Sequence, residues 1–216
     1  MKSHFKALLL LVTISLFLGG CATNRGVLDL DVPDSASTEQ PNGKSVYINS
    51  VTDNRIFEQN PATPDIPSLG FGGSESASAE LKHRAIARKR NSYGKALGDI
   101  LLPENRTVES VITDSLVRSL SELGYVIVEN QSDITDETII IDTSIEKFWS
   151  WMNPGFWALT LTSEIETNIS ISSPESDTKK IQARTEGKFQ IANTSSWTEI
   201  MMLNLEKYNE EVKEQF

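Results

Sequence analysis

The feature that most constrains this chain is the two-residue alternation of apolar and polar side chains running through most of residues 138–192. Successive side chains of a strand point to opposite faces, so a long run of this kind reads as a strand with one buried and one wet face. Residues 138–149 set Ile139, Ile141, Ile145 and Trp149 on one side against Ile140, Asp142, Ser144 and Glu146. Residues 156–171 set Trp157, Leu159, Leu161, Ile165, Ile169 and Ile171 inward against Thr160, Thr162, Glu164, Glu166, Asn168 and Ser170. Residues 179–192 keep Ile181, Ala183, Phe189 and Ile191 in phase. The breakers Asn153-Pro154-Gly155 and Pro174-Glu175-Ser176-Asp177 separate the runs. The pattern predicts an antiparallel meander covered on one side only.

Two stretches have the period to cover it. In residues 107–123, Val108, Val111, Ile112, Leu116, Leu120 and Leu123 form one helical stripe, with Thr107 placed to cap its start and Gly124 its end. In residues 197–216, Trp197, Ile200, Met201, Leu205, Tyr208 and Val212 form another, with Ser195 or Ser196 as cap. Shorter strands are expected at 45–51 and 125–129. The expected fold is therefore an α/β protein of the α+β two-layer type. A mostly antiparallel sheet of about five strands packs on two amphipathic helices, in a single globular domain spanning 45–216.

Residues 1–20 are laid out as an export signal. Lys2 and Lys6 are followed by 12 uncharged residues, 7–18, and then by Gly19-Gly20. Crossing a hydrocarbon core of ~30 Å takes roughly 20 apolar residues, so this segment is read as cleaved rather than as a permanent span. Leu18-Gly19-Gly20-Cys21, ending on the single cysteine of the chain, resembles the lipobox of bacterial lipoproteins. The resemblance implies a diacylglycerol thioether on Cys21 and an acyl chain on its new amino terminus. No other cofactor is expected. Several acyl chains make membrane attachment effectively permanent, each buried methylene adding ~0.8 kcal/mol. Ala22 stands where inner-membrane lipoproteins commonly carry Asp, which by analogy implies the outer membrane, facing the periplasm. The polar, proline-containing residues 21–44 are read as a lipidated linker.

The whole chain carries a net charge of −10, and loss of Lys2 and Lys6 makes it more negative. A surface of this sign repels phosphate backbones, so nucleic acid is not expected as a partner.

Residues 56–103 show no clear period and hold Pro61, Pro64, Pro67, Gly70, Gly72 and Gly73, which predicts one long loop. Within it Lys82, Arg84, Arg88, Lys89, Arg90 and Lys95 occur with no acidic residue from Leu81 to Gly98. On a helix Arg84 and Arg88 would share a face. The cluster reads either as an anion-docking site, for a lipid or lipopolysaccharide phosphate, an acidic glycan or an acidic protein surface, or as a solvated stretch. The second unusual feature is the aromatic knot at 148–157, with Phe148, Trp149, Trp151, Phe156 and Trp157 around a turn. It serves either as an apolar platform, with Trp151, Phe156 and Trp157 as its binding residues, or as the end of the core.

Catalysis is not expected. His4 leaves with the signal, so His83 is the one histidine of the mature chain, and with an acylated Cys21 it makes no zinc or copper site of the usual kind. There is no phosphate-binding glycine loop and no Gly-x-Ser-x-Gly elbow.

The order of parts is similar to that of the YajG-like family of bacterial outer-membrane lipoproteins. The lipobox, the strand ending in Val51-Thr52-Asp53-Asn54-Arg55, the helix running into Leu123-Gly124-Tyr125-Val126, and the later strands with the final helix carry the likeness. It implies an outer-membrane lipoprotein without an assigned activity. The expectation is a non-enzymatic binding or assembly module held at the membrane by its lipid anchor and engaging an envelope protein or a lipid. The alternative is an accessory subunit of an envelope lipid or lipopolysaccharide transport system.

Overall fold

A computed structural model describes residues 25–32, 41–91, 95–173 and 175–216. The signal, Cys21 and part of the linker lie outside the described residues. Among the described residues no helix is long and apolar enough to cross a membrane.

Three long strands form the predicted meander: β6 (Ile139–Pro154), β7 (Leu159–Ser173) and β8 (Asp177–Phe189). Their antiparallel registers run from Pro154↔Leu159 to Ile140↔Ser173 and from Leu159↔Phe189 to Ile171↔Asp177. On its other side β6 is shared between two partners. Its first half pairs in parallel with β2 (Ser45–Asp53), and its second half meets β3 (Ala85–Arg90) in parallel at Ala87↔Ser150. Beyond β2 lies the short β5 (Val126–Ile127), and beyond β3 lie β4 (Ala96–Leu101) and β1 (Gly26–Val27).

The sheet therefore has eight strands rather than about five. It is mixed rather than mostly antiparallel, because β1–β4, β2–β5, β2–β6 and β3–β6 all pair in parallel. The unforeseen strands lie where polarity hid them. β1 is two residues inside the expected linker, and β3 reads Ala-Ile-Ala-Arg-Lys-Arg, with no clean alternation. Residues 56–103 are accordingly not one loop, since they carry a short helix, α1 (Ala79–Arg84), as well as β3 and β4. Part of the expected linker is also packed into the domain, where Leu28 and Leu30 are buried.

Helices α2 (Val108–Glu122) and α3 (Thr194–Gln215) cover one face. The Thr107 side chain accepts from the Ser110 N–H while the Ser110 hydroxyl accepts from the Thr107 N–H, a reciprocal cap. Gly124 ends the helix at φ +83°, a conformation that a residue with a Cβ adopts at a cost. Asn193, not a serine, caps α3, accepting from the Ser196 N–H. The predicted stripes of both helices meet Ile141, Ile145, Ile165, Ile169 and Ile181 in the main core. Full burial of each such aliphatic side chain stabilises the fold by roughly 1.5–3 kcal/mol.

The opposite face is not bare, as the one-sided reading required. The β6–β7 register passes from Ile145↔Thr167 to Lys147↔Glu166, so Glu146 is an extra residue that reverses the phase of β6. Phe148 and Met152 then join Ile141 and Ile145 on the helix side, and Trp149 and Trp151 take the other. There they form a second small core with Leu69, Ala85 and Leu101, edged by Phe57, Ala77 and Leu81 from the 56–81 segment.

Arg55 occupies the fork where β2 leaves β6 and β3 joins it. Its Nη1 donates to the Ala85 and Phe148 carbonyls at 2.6 and 2.9 Å, and its Nη2 donates to the Lys82 carbonyl at 2.7 Å. Nε and Nη2 also reach the two oxygens of Asp53, at 2.7 and 2.8 Å. One guanidinium thus supplies donors to the Ala85 and Phe148 carbonyls at the fork and a second donor to the Lys82 carbonyl, which also accepts from the Ala85 N–H.

Candidate functional site

Among the described residues, the tip of the β6–β7 hairpin is the most exposed apolar feature. β6 runs to Pro154 and β7 starts at Leu159, so the connection is residues 155–158 and not Asn153-Pro154-Gly155. This shift decides the fate of the aromatic rings. Trp157, inward by the alternation, lies in the turn itself. Phe156 is 90% and Trp157 83% exposed, and the two rings stack edge-to-face with centroids 4.7 Å apart. The Gly155 N–H donates to the Ala158 carbonyl at 3.0 Å, and a Cβ on Gly155 would lie 2.5 Å from that oxygen. The turn that presents the rings therefore requires glycine at this position.

Trp151 lies elsewhere. It is 4% exposed, on the face opposite the helices, with Lys147 and Arg184 over its ring at 5.5 and 5.4 Å. Trp149 is buried beside it, its Nε1 donating to the Pro64 carbonyl at 3.1 Å. Phe148 is buried among the main-core residues.

The basic cluster does not form one patch, because half of it is strand. Arg84 closes α1 and donates from Nε to the Leu102 carbonyl at 3.0 Å. Arg88 and Arg90 share the outer face of β3, where their guanidinium groups reach the Ser68 hydroxyl at 3.0 and 3.5 Å. Burial and the neighbouring Arg90 lower the pKa of Arg88, while Asp99 pulls the other way. Lys89 points to the opposite face, lining a cavity of about 240 Å³ with Val27, Ile100, Asn193 and Trp197. Lys95 is exposed, its N–H donating to the Asn91 side chain.

Of the six cations, Arg90 is the one that joins the hairpin. A groove of about 300 Å³ is lined by Pro61, Pro64, Arg90, Met152, Asn153 and Pro154. The site is thus an exposed aromatic pair beside a proline-walled groove with a guanidinium at its edge. Such a surface suits the binding of an apolar group with a polar margin. The prolines of the groove carry no pattern in the sequence that would place them beside the hairpin.

A second constellation was hidden by distance along the chain. Asp53 at the end of β2, His83 in α1 and Glu109 in the first turn of α2 converge. Two of the three donors are carboxylates, which among the 30 acidic residues of the chain carry no spacing that singles them out. The carboxylates that meet His83 are 30 and 26 residues away from it.

No family model matches the chain, and no curated protein matches it. In fold it is similar to the crystal structure of protein XCC0632 from Xanthomonas campestris, of the family model DUF330. The TM-score is 0.51 and the identity 11%, over 88% of this chain and 93% of that one. A crystal structure of an uncharacterized protein aligns over 89% of this chain and 98% of that one, at a TM-score of 0.46 and 10% identity. At such identities the likeness to XCC0632 concerns the fold. It is consistent with the YajG-like resemblance without establishing membership.

Proposed function

We propose that this protein is a lipid-anchored lipoprotein of the bacterial outer membrane, facing the periplasm, that works without catalysis as a binding or assembly module. Its docking point is the hairpin tip, and its partner is an envelope protein. One observation carries the reading. Phe156 and Trp157 stand 90% and 83% exposed on a glycine-dependent turn, where they contribute nothing to either core. Exposed aromatic pairs of this kind are what hot spots are made of, since they desolvate large area at small entropic cost. Support for the anchor comes from Leu18-Gly19-Gly20-Cys21.

The test is a photo-crosslinker at Asn153, in the groove beside the tip, in living cells, with adducts identified by mass spectrometry. A saturable protein adduct at fixed stoichiometry, lost in Phe156→Ser/Trp157→Ser, is expected. Adducts with lipid alone would favour the alternative, an accessory subunit of lipid or lipopolysaccharide transport, and overturn the protein-docking reading. Adducts that survive the double substitution would remove the tip from the site. For the anchor, Cys21→Ser is expected to release the protein from membranes and abolish the acyl mass on its first mature peptide.

A further inference from the structure

We infer that Asp53, His83 and Glu109 form a binding site for a divalent transition-metal ion with zinc-like preferences. Each offers one ligand atom, and the three atoms all lie within 4.8 Å of one another. Asp53 Oδ2 is 3.6 Å from His83 Nδ1, and Glu109 Oε1 contacts that same nitrogen. One imidazole nitrogen serves one partner, through either its lone pair or its proton. Here two carboxylates converge on it. Yet His83 Nδ1 has no hydrogen bond of normal geometry, and Glu109 Oε2, which is equally removed from solvent, has none either. A cation between the three side chains satisfies these atoms together.

The spacing and the surroundings fit such an ion. Ligand atoms around a tetrahedral zinc with bonds of about 2.0–2.2 Å lie roughly 3.3–3.6 Å apart, a range that takes in the Asp53–His83 separation of 3.6 Å. Arg55 donates to both Asp53 oxygens and so fixes the direction of that carboxylate, in the way that metal-ligating carboxylates are held from behind. Oδ1 also accepts from the Arg55 backbone N–H, whereas Oδ2, the oxygen that faces His83, keeps lone-pair capacity beyond its one bond. One nitrogen and two oxygen donors, with no thiolate, select a borderline ion over a thiophilic one, and the imidazole disfavours magnesium or calcium. The half-exposed His83 ring leaves an approach for the ion and for water as a fourth ligand. Because the donors come from β2, α1 and α2, the ion would clip three elements together beside the fork that Arg55 fills.

The experiment is titration of the metal-stripped full chain with Zn²⁺ by calorimetry, alongside ¹⁵N NMR of the histidine side chains. One equivalent is expected to bind. The Nδ1 resonance of His83 is expected to move on saturation, and affinity is expected to fall at least tenfold in both His83→Gln and Glu109→Gln. Glu199→Gln, on the exposed side of α3, should bind as the parent does. Absence of stoichiometric binding, an affinity within twofold of the parent in His83→Gln, or a stationary Nδ1 resonance would overturn the site and leave a plain ionic contact. Should either variant fail to fold by circular dichroism, the NMR measurement on the parent protein still decides.

Discussion

Arg55 and Glu122 show how much one side chain can hold. The Arg55 side chain is fully buried and that of Asp53 nearly so, and all five guanidinium donors are used. Removing it takes the guanidinium partner from a buried carboxylate and a donor from the Ala85, Phe148 and Lys82 carbonyls, a loss of about 3–5 kcal/mol for a broken buried pair. Arg55→Ala should therefore lower the melting temperature by roughly 6–20 °C in a domain of this size. Arg55→Lys should recover little of this, because an ammonium has three donors and no fork. A loss under about 1 kcal/mol would mean that the fork closes without the guanidinium. Glu122 acts at lower stakes, bridging Arg118 on its own helix and Lys213 on α3 at 2.9 and 3.0 Å. Burial raises its pKa, but the hydrogen bonds from Lys213 and Arg118 outweigh this, so it lies below the ordinary 4.5. With the folded value depressed, the unfolded chain binds more protons in this range. The contribution is complete above the ordinary value and is lost as pH falls through the folded one. Glu122→Gln should cost about 0.5–1 kcal/mol near neutral pH, and in urea melts the difference should shrink and then vanish as the pH is taken well below the ordinary value. A difference that persists there would assign the effect to packing.

The β6–β7 hairpin shows at the scale of an element what sequence can and cannot convey. Ile141, Ile145, Ile165, Ile169 and Ile181 are all buried as their alternation requires, and the stripes of α2 and α3 face them. Periodicity carries that information because a face is a repeated choice. A bulge is a single event, and nothing in Ile145-Glu146-Lys147 marks the residue that goes unpaired, so the phase reversal that buries Trp149 and Trp151 on the second face is invisible. The tip suffers from the same locality. Asn153-Pro154-Gly155 is a good breaker triplet, but the strands zip two residues further and push Phe156 and Trp157 into the turn. The basic run was legible as charge and illegible as shape, because β3 distributes Arg88 and Lys89 to opposite faces. The two halves of the aromatic knot should then respond differently to truncation. Trp149→Ala removes a ring that is 1% exposed, packed on Phe57 at 6.0 Å, and should cost about 3–5 kcal/mol. Trp157→Ala should stay within about 0.5 kcal/mol of the parent. Chemical denaturation of both variants checks this, and comparable losses would place Trp157 in the core.

At the scale of the whole molecule the notable feature is an unfinished sheet. β8 is 13 residues long and pairs only with β7, so among the described residues its outer side is a free edge. Long free edges recruit other strands unless something prevents it, and two devices are present here. One is global, the net charge of −10, which repels a second copy over a distance set by salt. The other is local. Lys180, Arg184, Glu186 and Lys188 alternate along the strand, and the Lys207 ammonium occupies the Arg184 carbonyl at 3.2 Å. Ionic strength separates them, since screening shortens from ~10 Å at 0.1 M to ~3 Å at 1 M salt and leaves the cost of desolvating an edge lysine in place. If the local device governs, the parent protein should show no growth in light scattering at 1 M salt. Lys180→Thr/Glu186→Thr/Lys188→Thr, which turns the outer face of the edge into a β-forming surface while lowering the net charge by one further unit, should associate even at 0.1 M. If the global charge governs, the parent should associate at 1 M salt and the triple variant should stay dispersed at low salt, where its slightly larger negative charge repels most. The two outcomes are mutually exclusive, so one salt series on two proteins shows which scale keeps this edge from pairing.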